Sequence, residues 1–184
     1  MSFCGDALCR PAHGAVGLGR RKFMQLSGVA AGAGLLSGWL PGFAFAAGAQ
    51  ALLLTCIDYR FIDPTAAFMR GKGMDGKYDQ VILAGASLGV VSEKFEAWHR
   101  TFWDHVDVAI ELHEIHEVIV IDHRDCGAYK LAFGPEYAPT PEIETAVHER
   151  TLKSFGGLVR ARHPELGVSA YLIARDGTVQ QFEV

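Results

Sequence analysis

Short continuous apolar runs alternate along this chain with longer stretches in which apolar residues recur every three or four positions. Ala51–Thr55, Tyr78–Ala84, Val118–Ile121 and Val168–Ala174 are of the first kind, bounded by polar or small residues, the pattern of strands buried on both faces. Between the second and third runs, Phe95, Trp98, Phe102, Val106, Ala109 and Ile110 mark one face of a helix opened by Ser92 or Ser87, with charged residues in the gaps. Asp63-Pro64-Thr65 starts a shorter helix that reaches Arg70 before Gly71, Gly73 and Gly76 break it. Thr140-Pro141-Glu142 starts another that runs to Arg162 and stops at His163-Pro164, after a loop rich in Pro and Gly over Gly134–Pro141. Arg175-Asp176-Gly177-Thr178 turns the chain into a closing hairpin strand, Val179–Val184.

The order β-α-β-α-β-α-β-β predicts an α/β fold: a mostly parallel central sheet with helices on both faces, right-handed crossovers and a C-terminal hairpin. Ligands of such sheets bind at the carboxyl ends of the strands. That is where this chain places Cys56, His123, Cys126 and the small-residue loop Gly85–Ser87.

Met1–Ala46 does not continue the pattern. Arg20-Arg21-Lys22-Phe23-Met24 is a basic pair followed by bulky apolar residues, and Ala44-Phe45-Ala46 is a small-x-small cleavage site. The mildly hydrophobic Leu26–Leu40 between them is interrupted by Gly28, Gly32, Gly34 and Gly38, whereas a membrane anchor needs about 20 strongly apolar residues. The stretch reads as a twin-arginine export signal cut after Ala46, with the twin-arginine translocon as its partner and a periplasmic or otherwise exported destination. Of 184 residues, 138 remain over 47–184, enough for a single domain that buries about two-thirds of its unfolded surface. The leader carries Arg10, Arg20, Arg21, Lys22 and Asp6, which leaves 13 basic and 20 acidic residues, a net of −7. That balance argues against a nucleic-acid partner.

Cys4 and Cys9 belong to the leader, so the rest keeps only Cys56 and Cys126, each just past a strand. In Cys56-Ile57-Asp58-Tyr59-Arg60 an extended chain puts Cys56, Asp58 and Arg60 on one side, with Ile57 and Tyr59 turned away. The second strand end reads Asp122-His123-Arg124-Asp125-Cys126-Gly127. A disulfide between the cysteines leaves the regular placing of Asp58, Arg60 and His123 without a reason. Thiolate and imidazole are the ligands Zn²⁺ prefers, and Cys56, His123 and Cys126 make the set of three, with one position open, that a catalytic zinc site uses. Two thiolates weaken the acidifying power of the ion, so the site calls for an acid that orients water and an arginine that keeps the acid ionised and off the metal; Asp58 and Arg60 fill those places. The small-residue loop Gly85, Ala86 and Ser87 is where backbone can approach a substrate closely.

Cys56-x-Asp58-x-Arg60, the later His123-x-x-Cys126-Gly127 after an apolar strand, and the closing hairpin Tyr171–Thr178 together resemble the β-class carbonic anhydrase family, over roughly Leu52 to Val184. The resemblance implies that Cys56, His123 and Cys126 bind zinc and that Asp58 and Arg60 form a catalytic dyad beside it. It implies that Asp58 can turn in as a fourth ligand in a closed state, and that the protein is a homodimer or higher even oligomer. The implied reaction is hydration of CO₂ to bicarbonate by a metal-bound hydroxide. The chain departs from the family at Leu83-Ala84-Gly85-Ala86-Ser87, which lacks the Arg and Asn of the usual Arg-Asn-Ala-Gly loop. Two further readings stay open: hydrolysis of carbonyl sulfide or carbon disulfide at the same metal, and a zinc-binding module without turnover. Asp122, Arg124 and Asp125 either orient His123 or satisfy the turn. His113 and His116 have the H-x-x-H spacing of a metal pair but, among glutamates, read as a solvated turn; His99 and His105 read as exposed helical residues, with proton shuttling as the alternative.

Overall fold

The computed structural model describes residues 48–184, and the expected export signal lies outside them. The four apolar runs form strands β1 (Ala51–Thr55), β2 (Tyr78–Ile82), β3 (Glu117–His123) and β4 (Gly167–Ile173), and β5 (Val179–Phe182) closes the hairpin. They make one sheet in the order β2-β1-β3-β4-β5, parallel throughout except for β5, which runs antiparallel to β4. β1 and most of β3 are buried along their length, as continuous apolar strands between two covered faces should be. β2 differs from its expectation as a buried strand. It is the sheet edge, with only Val81 buried and Ile82 52 % exposed, because an edge strand has a neighbour on one side only.

The helices are α1 (Ile62–Gly71), α2 (Ser87–Val91), α3 (Glu96–His113), α4 (Gly127–Phe133) and α5 (Pro141–Arg162). α3 buries Phe102, Val106 and Ala109 and stops at Glu114, which takes a left-handed φ of 54°. α5 is capped by Thr140, whose hydroxyl accepts from the Ile143 N–H at 3.4 Å. Pro141 opens it, Glu142 and Glu144 sit in its first turn and Arg160 and Arg162 in its last, each sign where the helix dipole favours it. The single helix expected to open at Ser92 or Ser87 is two: α2 starts at Ser87, and a 3₁₀ turn over Glu93–Phe95 leads into α3, while α4 was not expected. No helix among the described residues is long and apolar enough to cross a membrane.

Alternation along the strands divides the core. Leu52, Leu54, Val118 and Val120 face a thick layer of α2, α3 and α5, where they meet Val90, Phe102, Leu152, Phe155 and Val159. Leu53, Ile119 and Ile121 face the other way onto α1, through Phe61 and Met69. Each fully buried Leu, Ile or Phe contributes about 1.5–3 kcal/mol relative to an exposed one. The register pairs Thr55 with Ile121 where β1 ends, whereas β3 continues to His123, paired with Ile173. The two extra residues of β3 form one wall of a crevice that β1 has already left.

Candidate metal centre

The chain does not stay extended past Cys56. Asp58 caps a 3₁₀ turn over Tyr59–Phe61 and accepts the Arg60 N–H at 3.1 Å. The turn folds the guanidinium back onto the same carboxylate: Nε donates to Oδ1 at 2.9 Å and Oδ2 at 3.1 Å, and Nη2 to Oδ2 at 2.6 Å. Asp58 and Arg60 thus converge through a turn and not through strand alternation, although Ile57 and Tyr59 do point outward, 63 % and 81 % exposed. The hydrogen bonds from Arg60 hold the Asp58 carboxyl down to about 2. The other edge of the guanidinium reaches the second motif, donating to Asp125 Oδ2 and to the Asp125 carbonyl, both at 3.1 Å.

His123 is buried and stacks on Phe61, centroids 4.1 Å apart. Its Nδ1 lies 2.8 Å from the Arg124 carbonyl, which only accepts, so Nδ1 carries the proton and Nε2 is turned to the crevice. Asp125 takes a left-handed φ of 55°, and its N–H donates to Glu144 Oε1 at 2.6 Å. Arg124 donates to Glu144 Oε2 at 3.1 Å and to Thr145 Oγ1 at 2.9 Å, so the start of α5 clamps the loop that presents Cys126 at the head of α4. Lys130 also pairs with Asp125.

The ligand atoms of Cys56, His123 and Cys126 all lie within 4.8 Å of one another. The facing Cys126 thiol, with His123 and the Gly85 N–H at 3.2 Å, outweighs burial and pulls the Cys56 thiol down. The Cys56 sulfur, with burial, pushes the Cys126 thiol up. Burial opposes a proton on His123, but the Cys56 sulfur and the Arg124 carbonyl more than offset it and raise the imidazole. His123 Nε2 is nonetheless buried without a hydrogen-bond partner, facing two sulfurs. An orphaned ring nitrogen beside two thiols in a buried pocket is a donor set that fits a zinc ion. Asp58 Oδ2 stands 3.8 Å from that nitrogen, near the site but engaged by Arg60.

Of the loop expected to meet substrate, only Gly85 reaches the site. It has φ 81°, and a Cβ there would lie 3.0 Å from the Cβ of Ala128, so glycine is what lets its N–H approach the Cys56 sulfur. Ala86 and Ser87 are fully buried, and the Ser87 hydroxyl donates to Asp122 at 2.7 Å. The mouth of the crevice is an open cavity of about 570 Å³ lined by Cys56, Ile57, Asp58, Arg60, Ala84 and Leu131. His113 does not join His116: it contacts Asp79 at 2.6 Å, while His99 and His105 bond to main-chain carbonyls. Sequence reasoning missed Glu144, Tyr129 and His148, which meet Arg124, Asp125 or Asp122 only once the helices pack against β3.

Residues 46–183 match the family model described as putative carbonic anhydrase. Two relatives, uncharacterized proteins of Rickettsia conorii and Rickettsia bellii, are each 38% identical over 133 residues, which is 72% of this chain and 72% and 81% of theirs. Among solved structures the chain is similar to a β-carbonic anhydrase of Sordaria macrospora, one of two described as tetrameric, with TM-score 0.50 and 11% identity over 73% of this chain and 80% of that one. It is likewise similar to the β-carbonic anhydrase CafD of Aspergillus fumigatus, with TM-score 0.50 and 11% identity over 78% of this chain and 94% of that one. These two likenesses show the fold.

Proposed function

The chain belongs to the putative carbonic anhydrase family, and we propose that it is a zinc-dependent lyase that hydrates CO₂ to bicarbonate. The observation that carries this reading is the meeting, in one strand-end crevice, of a Cys-His-Cys donor set with a carboxylate gripped by an arginine. Zinc held by Cys56, His123 and Cys126 would supply Lewis acidity, lowering the pKa of a water molecule towards about 7. Asp58 accepts a hydrogen bond from the attacking water and so aligns it. Arg60 occupies both Asp58 oxygens from the far side, which keeps the carboxylate ionised and away from the ligand position. Ile57, Ala84, Ala128 and Leu131 wall the mouth with apolar surface, suited to a small uncharged linear molecule. A purely structural zinc needs no such dyad, so the pair supports turnover over a silent module.

One observation favours a second substrate class: Ala84, Ala128 and Leu131 offer their side of the mouth no polar side chain, which leaves room for carbonyl sulfide or carbon disulfide as the molecule hydrolysed. Stopped-flow CO₂ hydration on zinc-loaded protein, run beside sulfide release from carbonyl sulfide, tests both. Proton release with CO₂ is the expected result; sulfide release alone moves the substrate, and turnover of neither overturns the enzyme reading.

We further propose a homodimer or higher even oligomer. Ile57, Tyr59, Ile62, Ile82, Leu131 and Phe133 are large apolar side chains left exposed, more than a lone protomer gains from showing to water. A monomeric mass by light scattering would overturn this. The twin-arginine signal supports export of the folded chain; Arg20→Lys with Arg21→Lys should strand it in the cytoplasm, and unchanged secretion would count against that route.

A further inference from the structure

Behind the crevice, on the thick side of the sheet, Asp122 is buried with no accessible side-chain surface. A carboxylate in such a place is costly unless hydrogen bonds replace its water. Asp122 has four donors: the Ser87 N–H to Oδ1 at 3.1 Å, and the Ser87 hydroxyl at 2.7 Å, the Tyr129 hydroxyl at 2.6 Å and His148 Nδ1 at 2.9 Å, all to Oδ2. The donors come from α2, α4 and α5, while Asp122 itself is in β3. Four elements therefore meet on one side chain.

Each of these ties ends close to a metal ligand. Asp122 precedes His123, and strand alternation turns the two to opposite faces, so a bond that fixes one fixes the rotation of the strand that aims the other. Tyr129 is three residues past Cys126 in α4, on the same side of the helix. Ser87 follows by two residues the Gly85 whose N–H holds the Cys56 sulfur. We propose that Asp122 is a positioning residue: a buried hub, with Ser87, Tyr129 and His148 as its donors, that sets the spacing of Cys56, His123 and Cys126 for the metal. This rests on the zinc reading above and assigns no contact with substrate.

The experiment separates positioning from ordinary core support. Full-length wild-type chain and the variants Asp122→Asn, Tyr129→Phe and Ser87→Ala are compared for zinc affinity, by competition with a chromophoric chelator, and for the visible spectrum of the Co²⁺-substituted protein. Val159→Ala serves as control, since it opens the same core about 16 Å further along α5. Asp122→Asn should bind zinc at least tenfold more weakly and shift the Co²⁺ bands, with Tyr129→Phe and Ser87→Ala moving the same way by less. Val159→Ala should lower Tm and leave both readouts as in wild type. If Asp122→Asn does not fold, the two single-donor variants decide by themselves. Wild-type zinc affinity and spectra in the hub variants, despite a lowered Tm, overturn the proposal while leaving the zinc site intact. A wild-type chain that takes up no zinc overturns the zinc reading and the hub with it.

Discussion

The two strand-end motifs look alike in sequence, each a cysteine near the end of an apolar run, yet the protein holds them by different means. The first leaves the sheet at once, exposes Ile57 and Tyr59, and is held by a partly buried ion pair, Asp58 with Arg60. The second stays in β3 for two further residues, is buried at Asp122, His123 and Cys126, and is tied to three helices. A buried motif fixes where ligand atoms stand. An exposed one leaves a carboxylate where a water molecule can reach it.

The largest effects come from the ligands. Cys56→Ser, His123→Ala and Cys126→Ser should each abolish stoichiometric zinc, read by elemental analysis; full retention in any of them removes that residue from the site. The contrast sharpens in the metal-free proteins. His123→Ala strips a ring stacked on Phe61 from a closed pocket and should cost about 1–3 kcal/mol in a denaturant titration, whereas Cys56→Ser should cost well under 1 kcal/mol. Equal losses would break the distinction between the motifs.

Next come the dyad variants. Asp58→Ala and Arg60→Ala should keep zinc, since three ligands remain, and lose ~10²-fold or more in rate. They should differ in the Co²⁺ spectrum, because Arg60→Ala frees a carboxylate that stands 3.8 Å from His123 Nε2 and can close on the metal. Wild-type rates in both would reduce the pair to a surface ion pair.

Gly85→Ala should cost about 1–3 kcal/mol, because it forces a side chain into a left-handed backbone against Ala128, and should disturb the N–H on the Cys56 sulfur. Chelator competition and a melting curve on the same variant check both halves. The smallest effect is at Lys153→Ala, far from either motif, where loss of an exposed pair with Glu149 should cost at most about 0.5 kcal/mol and leave zinc and rate untouched. A larger effect there would mean that α5 transmits strain to the site more widely than its clamp on Arg124 and Asp125 accounts for.

The strands, their parallel order and the residues that gather in the crevice were legible because each depends on a few neighbouring positions. A continuous apolar run says that both faces are covered, and a cysteine or histidine at its end stays at the strand end whatever packs around it. The edge position of β2 was not legible, since its exposure depends on which strand is missing beside it. α4 was hidden because Gly127 opens a helix of seven residues, too short for periodicity to show. The turn that brings Arg60 back onto Asp58 was mistaken for an extended segment, although the pairing of the two residues was expected. The hub at Asp122 could not be read at all: its donors stand 35, 7 and 26 residues away, and only the packed helices bring them to one carboxylate.

The pairing of β1 with β3 has a consequence for the order of events as the chain folds. Thr55 and Ile121 are neighbours in the sheet but 66 residues apart in the chain, with α1, β2, α2 and α3 threaded between them. Contacts of that separation close slowly, and until this one closes Cys56 is remote from His123 and Cys126. An ion that needs all three donors therefore meets them only in a chain close to its final state. Zinc should slow the departure from that state and leave the rate of arrival as it is in metal-free protein, a latch on a finished fold instead of a seed for it.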